Sequence, residues 1–333
     1  MLKPNNENSN QQFLAASDAP SNTPLFLHLP LTLTANSFTP CLPLQTNSQL
    51  FLTSKTTFIH LDYLRLSSTG LTNKSFDLLW YSLFSGIVTK NLKNPWHPDP
   101  NMPRGKKYPN RIVSNTGIVL GYRKRAKNRG VNTRYVYDIM IDFTGAYFSD
   151  LSLLEQQELI KYLNTNYQLK CHRLDVAIDD CSRSLIPVNS MIVAFLEGNN
   201  FGFEVIDDSY LDIVNNQLVG TLALGSRKSQ HYIRIYTKHR NFVRYEAEFK
   251  GGKAQKLFDK IANLDADKID SSSPLKSLQK ALAEAALNCI DFRDKSKNAS
   301  PKNATKKRIK PLSFWQLYKD KIFSLIENGT IRI

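Results

Sequence analysis

Three segments alternate so regularly between apolar and charged residues that each reads as a strand with one buried face. They are Arg173–Asp179, Tyr232–Lys238 and Arg244–Lys250. Successive side chains in a strand point to opposite sides of the sheet. Leu174, Val176 and Ile178 therefore share one face, and Arg173, Asp175, Ala177 and Asp179 the other. In the second segment Ile233 and Ile235 oppose Tyr232, Arg234, Tyr236 and Lys238; in the third Tyr245, Ala247 and Phe249 oppose Arg244, Glu246, Glu248 and Lys250. Strands apolar on one side only belong to an antiparallel sheet covered on that side, which points to an α+β fold: a central, largely antiparallel sheet with flanking helices.

The rest of the chain supplies those helices. Phe58–Leu66 reads as a strand and Lys74–Val88 as an amphipathic helix, with a loop from Pro95 to Pro109. Arg111–Tyr122 and Thr133–Phe143 read as strands around a turn holding Arg123, Lys124, Arg125, Lys127 and Arg129. Ser152 and Glu155 form a capping box that opens a helix to about Leu163, and His172–Asp179 follows as a strand, a βαβ crossover. A helix from Pro187 to about Glu197 precedes strands at Gly220–Leu224, Tyr232–Thr237 and Phe242–Phe249. Helices are then expected over about Lys253–Leu264, Pro274–Cys289 with Ser273 as cap, and Phe314–Glu327 with Ser313 as cap and Gly329 as stop.

Charge separates the chain into regions. The 333 residues carry a formal charge of +15, yet residues 1–54 hold one lysine, Lys3, against Glu7 and Asp18. That stretch, rich in Asn, Ser, Thr and Pro, is expected to be a disordered leader. Residues 55–293 form the expected main folded domain, 294–312 a basic linker and 313–333 a C-terminal helix. No apolar run reaches the ~18–20 residues that span a bilayer, and the start lacks a signal-peptide core. The four cysteines, Cys41, Cys171, Cys181 and Cys289, include no C-x-x-C pair, so reduced thiols in a cytoplasmic protein are expected. A strongly basic chain of this kind points first to nucleic acid.

If the three alternating strands share a sheet, one face gathers Asp175, Asp179, Glu246, Glu248 and Tyr236. Carboxylates this close repel unless cations neutralise them, and hard oxygen ligands suit Mg²⁺ or Mn²⁺. A tyrosine beside such an ion can attack a phosphodiester. Alternation alone leaves a second reading open, an ordinary solvated face laced by Arg–Glu cross-strand pairs.

Motif order carries a resemblance. Arg173-Leu174-Asp175-Val176-Ala177-Ile178-Asp179-Asp180, then Gly220-Thr221 through Gly225-Ser226-Arg227, then Ile233-Arg234-Ile235-Tyr236-Thr237-Lys238, then Arg244-Tyr245-Glu246-Ala247-Glu248 follow one another. In this order they resemble the Rep_trans family, replication initiation factors of small rolling-circle plasmids and some phages. Asp62-Tyr63-Leu64, Ile141–Gly145, Asp291-Phe292-Arg293 and Pro311–Trp315 extend the likeness over roughly 58–320.

The resemblance implies a nicking-closing enzyme for rolling-circle replication. Its tyrosine cuts one strand of origin DNA, becomes joined to the 5′ phosphate and leaves a 3′ hydroxyl as primer. Tyr236 is then the nucleophile, with Arg234 beside it. Asp175, Asp179, Glu246 and Glu248 are the implied ligands of Mg²⁺ or Mn²⁺. Arg227, Lys238 and Arg244 are the implied phosphate contacts, and the basic turn at Arg123, Lys124 and Arg125 adds a groove contact. The implied partner is origin DNA, double- and single-stranded, with a host helicase and a second copy of the chain as further candidates. The competing reading is a DNA-binding regulator or phage accessory protein of the same family that does not cut. Tyr232, four residues before Tyr236, shares its face, as a second nucleophile or as packing. The histidines include no H-x-H pair, and the loop at Lys238-His239-Arg240-Asn241 is short for the family.

Overall fold

A computed structural model describes residues 57–84, 96–98, 107–129, 132–167, 169–202, 206–207, 211–214, 217–238, 242–264, 274–295 and 309–331. The expected leader (1–54) and most of the basic linker lie outside these residues, as do Ser273 and the loop residues 239–241.

In chain order the elements are β1 (Thr57–Thr72), α1 (Asn73–Phe84), β2 (Trp96–Pro98), β3 (Asn110–Ser114), β4 (Ile118–Arg129) and β5 (Asn132–Phe143). There follow α2 (Gly145–Ser149), α3 (Leu153–Tyr167), β6 (Lys170–Asp180), α4 (Val188–Leu196), β7 (Asn200–Phe201), β8 (Ile206–Asp207) and β9 (Leu211–Val214). The last are β10 (Gln217–Leu224), β11 (His231–Lys238), β12 (Phe242–Lys250), α5 (Gly251–Ala262), α6 (Pro274–Leu287), β13 (Asp291–Phe292) and α7 (Ser313–Glu327).

One sheet organises them, with strand order β2-β3-β4-β5-β1-β6-β12-β11-β10-β8 and β9 beside β10. Every registered pair in it is antiparallel. The fold is the expected α+β arrangement.

Core residues sit where the alternation requires. Leu174, Val176 and Ile178 of β6, Ile233 and Ile235 of β11, and Tyr245 and Ala247 of β12 are buried in one apolar cluster. Helix α5 packs Ala254, Leu257, Phe258 and Ile261 on this side, an i, i+3, i+4, i+7 stripe. Burying one such Leu or Phe stabilises the fold by about 1.5–3 kcal/mol relative to leaving it in water. The Tyr245 hydroxyl donates to the Ala286 carbonyl at 3.1 Å, fixing α6 against β12.

Several expectations change in detail. The segment 111–122 is two strands, turned between Ser114 and Ile118 through Gly117, whose φ of +90° is left-handed. Arg123–Arg129 is not a turn: it continues β4, paired with β5 until Arg129 meets Asn132. The βαβ unit exists with a strand inserted, because β5 and β6 both run antiparallel to β1, which lies between them. The capping box forms as read: the Ser152 amide donates to Glu155 Oε2 at 2.8 Å and the Glu155 amide to Ser152 Oγ at 3.4 Å. Helix α7 has Leu312, not Ser313, at its N-cap, because the Trp315 amide donates to the Leu312 carbonyl. That shift places Trp315 in the core, fully buried, its ring edge-on to Phe292 at 5.2 Å. The C-terminal helix therefore belongs to the same core as the sheet.

Candidate functional site on the arginine-topped sheet face

Register brings the expected residues together on the face away from that core. Tyr236 lies opposite Arg244, Arg234 opposite Glu246, Glu246 opposite Ala177, and Glu248 opposite Asp175. Glu246 thus sits between the two aspartates of β6, one strand away. The Tyr236 hydroxyl donates to Glu246 Oε2 at 2.9 Å, and Arg234 donates to the other oxygen of the same carboxylate. Burial, then the Glu246 charge, pushes the Tyr236 phenol above its ordinary range. The acceptor that this hydroxyl faces is Glu246. The Nε of Arg234 is buried with no hydrogen-bond partner among the described residues.

The acids form two subsites. In the first, Arg173 donates to Asp175 at 2.9 Å and pairs with Glu248 at 2.8 Å, and Lys250 also pairs with Glu248. Burial, with repulsion from Glu246 and Glu248, lifts Asp175 to about 7 despite Arg173. Arg173 itself is shifted upward, as a paired guanidinium should be. The two shifts reconcile because one guanidinium is shared between two carboxylates while a third lies close.

In the second subsite, Arg244 holds Asp179 with two bonds, 2.6 and 2.7 Å, and also donates to Asp62. His60 Nε2 reaches Asp179 Oδ2 at 3.0 Å, and Lys238 stands 3.8 Å from Asp62. Burial alone would raise the Asp179 pKa; the His60 and Arg244 contacts overcome it and hold it at about 2.

Six acids on this face, Asp138, Asp142, Asp175, Asp179, Glu246 and Glu248, are only 0–6% exposed. Above them Arg65, Arg123, Arg125, Arg173 and Arg234 have side chains 27–41% exposed. Solvent therefore meets guanidinium, with the carboxylates beneath. Arg244, expected at DNA, departs from this pattern: it is 3% exposed and engaged with Asp179 and Asp62, a placement that fixes strands rather than meets phosphate. Arg227 is exposed, its guanidinium 5.6 Å from the Tyr232 ring, while Tyr232 is buried. Arg123 and Arg125 both pair with Asp138, at 2.8 and 2.9 Å, whereas Lys124 points to the other face, over the Tyr135 ring.

Asp175, Glu246 and Glu248 have the hard-oxygen chemistry for a divalent cation, and the raised Asp175 marks an excess of buried negative charge that such an ion would relieve. As arranged, Arg173, Arg234 and Lys250 provide the counter-charge, and no three His, Cys, Asp or Glu side chains among the described residues form a ligand cluster. Both oxygens of Asp179 are already engaged by Arg244 and His60, which sets it apart from that trio.

Sequence reading missed His60, Arg65 and Asp142 and gave Asp62 and Tyr63 no role. A β-bulge between Leu61 and Tyr63 turns Asp62 and Tyr63 together off the core face. Asp62 then reaches Arg244, and the Tyr63 ring lies 4.5 Å beneath Arg173. A Cβ on Gly145 would fall 2.7 Å from Asp62 Oδ1, so the Gly at the start of α2 is what admits that carboxylate.

No family model and no curated protein matches this sequence. Among solved structures, the chain shares its fold with a rolling circle replication initiator protein from Geobacillus stearothermophilus. The TM-score is 0.52 at 18% identity, over 80% of this chain and 97% of that one. Among the described residues no helix is long and apolar enough to cross a membrane.

Proposed function

We propose that this protein is a replication initiator that nicks and rejoins one strand of origin DNA through Tyr236. The observation that supports it most is the Tyr236 hydroxyl donating to the buried Glu246 carboxylate beside Arg234, on a sheet face topped by arginines. The likeness in fold to a rolling-circle initiator adds to it.

In the proposed reaction the Tyr236 oxygen attacks phosphorus while its proton passes to Glu246 Oε2. The bond to the 3′ oxygen breaks, that oxygen takes the electron pair, and a proton from water leaves it as a 3′ hydroxyl. The new ester joins Tyr236 to the 5′ phosphate, and closure is the reverse. Arg234, its side chain partly exposed and bonded to the same carboxylate as Tyr236, suits a phosphate oxygen. Arg227 and Lys238 are further candidates for the flanking phosphates. Mg²⁺ or Mn²⁺ is the proposed cofactor; to hold it, Asp175, Glu246 and Glu248 would have to exchange their pairing with Arg173, Arg234 and Lys250 for the ion, which would then neutralise charge on the phosphate. Buried Tyr232 is read as packing.

A relaxation assay on supercoiled plasmid carrying the DNA that flanks the gene tests this reading. Wild type should relax it and form a covalent adduct, and chelator should stop both. Tyr236→Phe should bind and do neither. Binding without relaxation by the wild type would instead establish a non-cutting DNA-binding protein.

A further inference from the structure

The same sheet face runs on beyond the proposed site. Arg173 lies over the Tyr63 ring, Arg65 donates to the Tyr63 hydroxyl at 2.8 Å and to Asp142 at 2.6 Å, and two register steps away along β5 Asp138 takes Arg123 and Arg125. Beyond Asp138, β4 and β5 continue as a ribbon in unbroken register. There Lys127 stands directly opposite Arg134, and alternation keeps both on the face of Arg123, Arg125 and Asp142. Both are exposed, and neither has an ion-pair or hydrogen-bond partner among the described residues. Arg134 lies eight residues along β5 from Asp142, about 27 Å at the strand rise of ~3.4 Å per residue.

Like charges directly opposite each other destabilise an antiparallel pair. Arg65, Arg123, Arg125, Arg173 and Arg234 on this face each have a carboxylate beneath them; here two cations face each other with no carboxylate partner among the described residues. A two-stranded ribbon has the dimensions to enter a major groove, and its flanking cations then meet the phosphates. We infer that Lys127 and Arg134 form a second phosphate contact for duplex DNA, on the β4–β5 ribbon and apart from the scissile position. The inference rests on the DNA-directed reading above but not on cutting.

The probe is a fluorescent 30-base-pair duplex of arbitrary sequence, titrated at several salt concentrations. Each lost phosphate contact reduces the steepness of the log–log salt plot by ~0.9. Lys127→Gln/Arg134→Gln should therefore flatten the slope by about 1.8 and weaken binding at every salt concentration tested, and Lys127→Gln alone by about 0.9. Lys161→Gln/Lys321→Gln, which removes the same charge from helices α3 and α7, should leave the slope unchanged. The ribbon variant should melt no lower than wild type, since it relieves a repulsion. An unchanged slope in the ribbon variant, or equal flattening in the helix variant, overturns the inference. Plasmid relaxation by the wild type is read separately. Relaxation with a slope the ribbon variant does not change keeps nicking and refutes the ribbon contact; a ribbon-dependent slope without relaxation does the reverse. Preference for a single strand over the duplex, with no ribbon dependence, also refutes it.

Discussion

Replacing Asp179 by Asn tests whether the second ion cluster holds β1, β6 and β12 together. Asp179 joins β6 to β12 through Arg244 and to β1 through His60, at a position only 2% exposed. Against the effect of burial, the His60 and Arg244 contacts hold its carboxyl at about 2, below the ordinary 3.8. A folded value below the unfolded one means that the unfolded chain takes up protons first as pH falls. The stability is therefore fully present above about pH 4 and lost as pH drops toward 2. A depression of that size corresponds to roughly 2–3 kcal/mol at neutral pH. Asparagine is close to the protonated acid in shape, so Asp179→Asn should cost about this amount at pH 7. That is a fall in melting temperature of roughly 5–10 °C for a domain of this size. At pH 3 the difference between wild type and variant should shrink to about half, because both forms of the wild type are then partly protonated. Urea unfolding at pH 7, 4 and 3 measures it, and the difference between the two proteins cancels every group they share. A penalty that is the same at pH 7 and pH 3 would show that shape rather than charge matters there. No penalty at pH 7 would refute the cluster as a source of stability.

Other outcomes follow from the same geometry. Arg244→Met should cost more, about 3–5 kcal/mol, because it strands Asp179 and Asp62 without their shared guanidinium; thermal melting reports it. Glu246→Gln keeps an acceptor for the Tyr236 hydroxyl but removes the base, so relaxation should slow 10²–10⁴-fold with DNA affinity retained; single-turnover nicking against binding separates the two. Asp175, raised to about 7 by burial and its acidic neighbours, keeps a proton that the unfolded chain has already released, so in chelator its contribution falls as pH rises from about 4 to 7. Asp175→Asn should accordingly melt higher than wild type at pH 8 without metal, and lose any stabilisation by Mg²⁺; a lower melting point would contradict it.

The strands were legible in the sequence because period-two alternation is local. Each of Arg173–Asp179, Tyr232–Lys238 and Arg244–Lys250 lies in a strand and buries the predicted apolar side. What alternation could not supply is which strand lies beside which. β1 sits between β5 and β6, and from there it delivers His60, Asp62, Tyr63 and Arg65 to the site. Those contacts join residues far apart in the chain, and the bulge at Leu61/Tyr63 breaks the periodicity that would have marked them. The basic segment 123–129 misled for a related reason. A run of Arg and Lys resembles a soluble turn, yet the partner strand decides, and Arg123–Arg129 has seven successive partners in β5.

Burial bears on the two readings that alternation left open, and the Arg–Glu cross-strand pairs of the second are present. On a solvated face the carboxylates and the arginines would both lie in water, and each cross-strand pair would contribute at most ~1 kcal/mol. Here the acids are withdrawn below the arginines, and Asp175 is pushed so far from its ordinary range that its buried charge is incompletely compensated. Stability alone does not favour such an arrangement, since well-packed apolar residues of similar volume serve a core as well or better. In the proposed function a layer of acids capped by guanidinium would have a different use: the acids hold the arginines in fixed positions, and the arginines offer those positions to an anion. The phenol of Tyr236 stands in that layer with an acceptor for its proton and an arginine beside it. Under the proposed function, a phosphodiester brought to the arginines would meet a Tyr236 hydroxyl already aligned by Glu246, and the ion pairs that look like sheet reinforcement would then aim the attack.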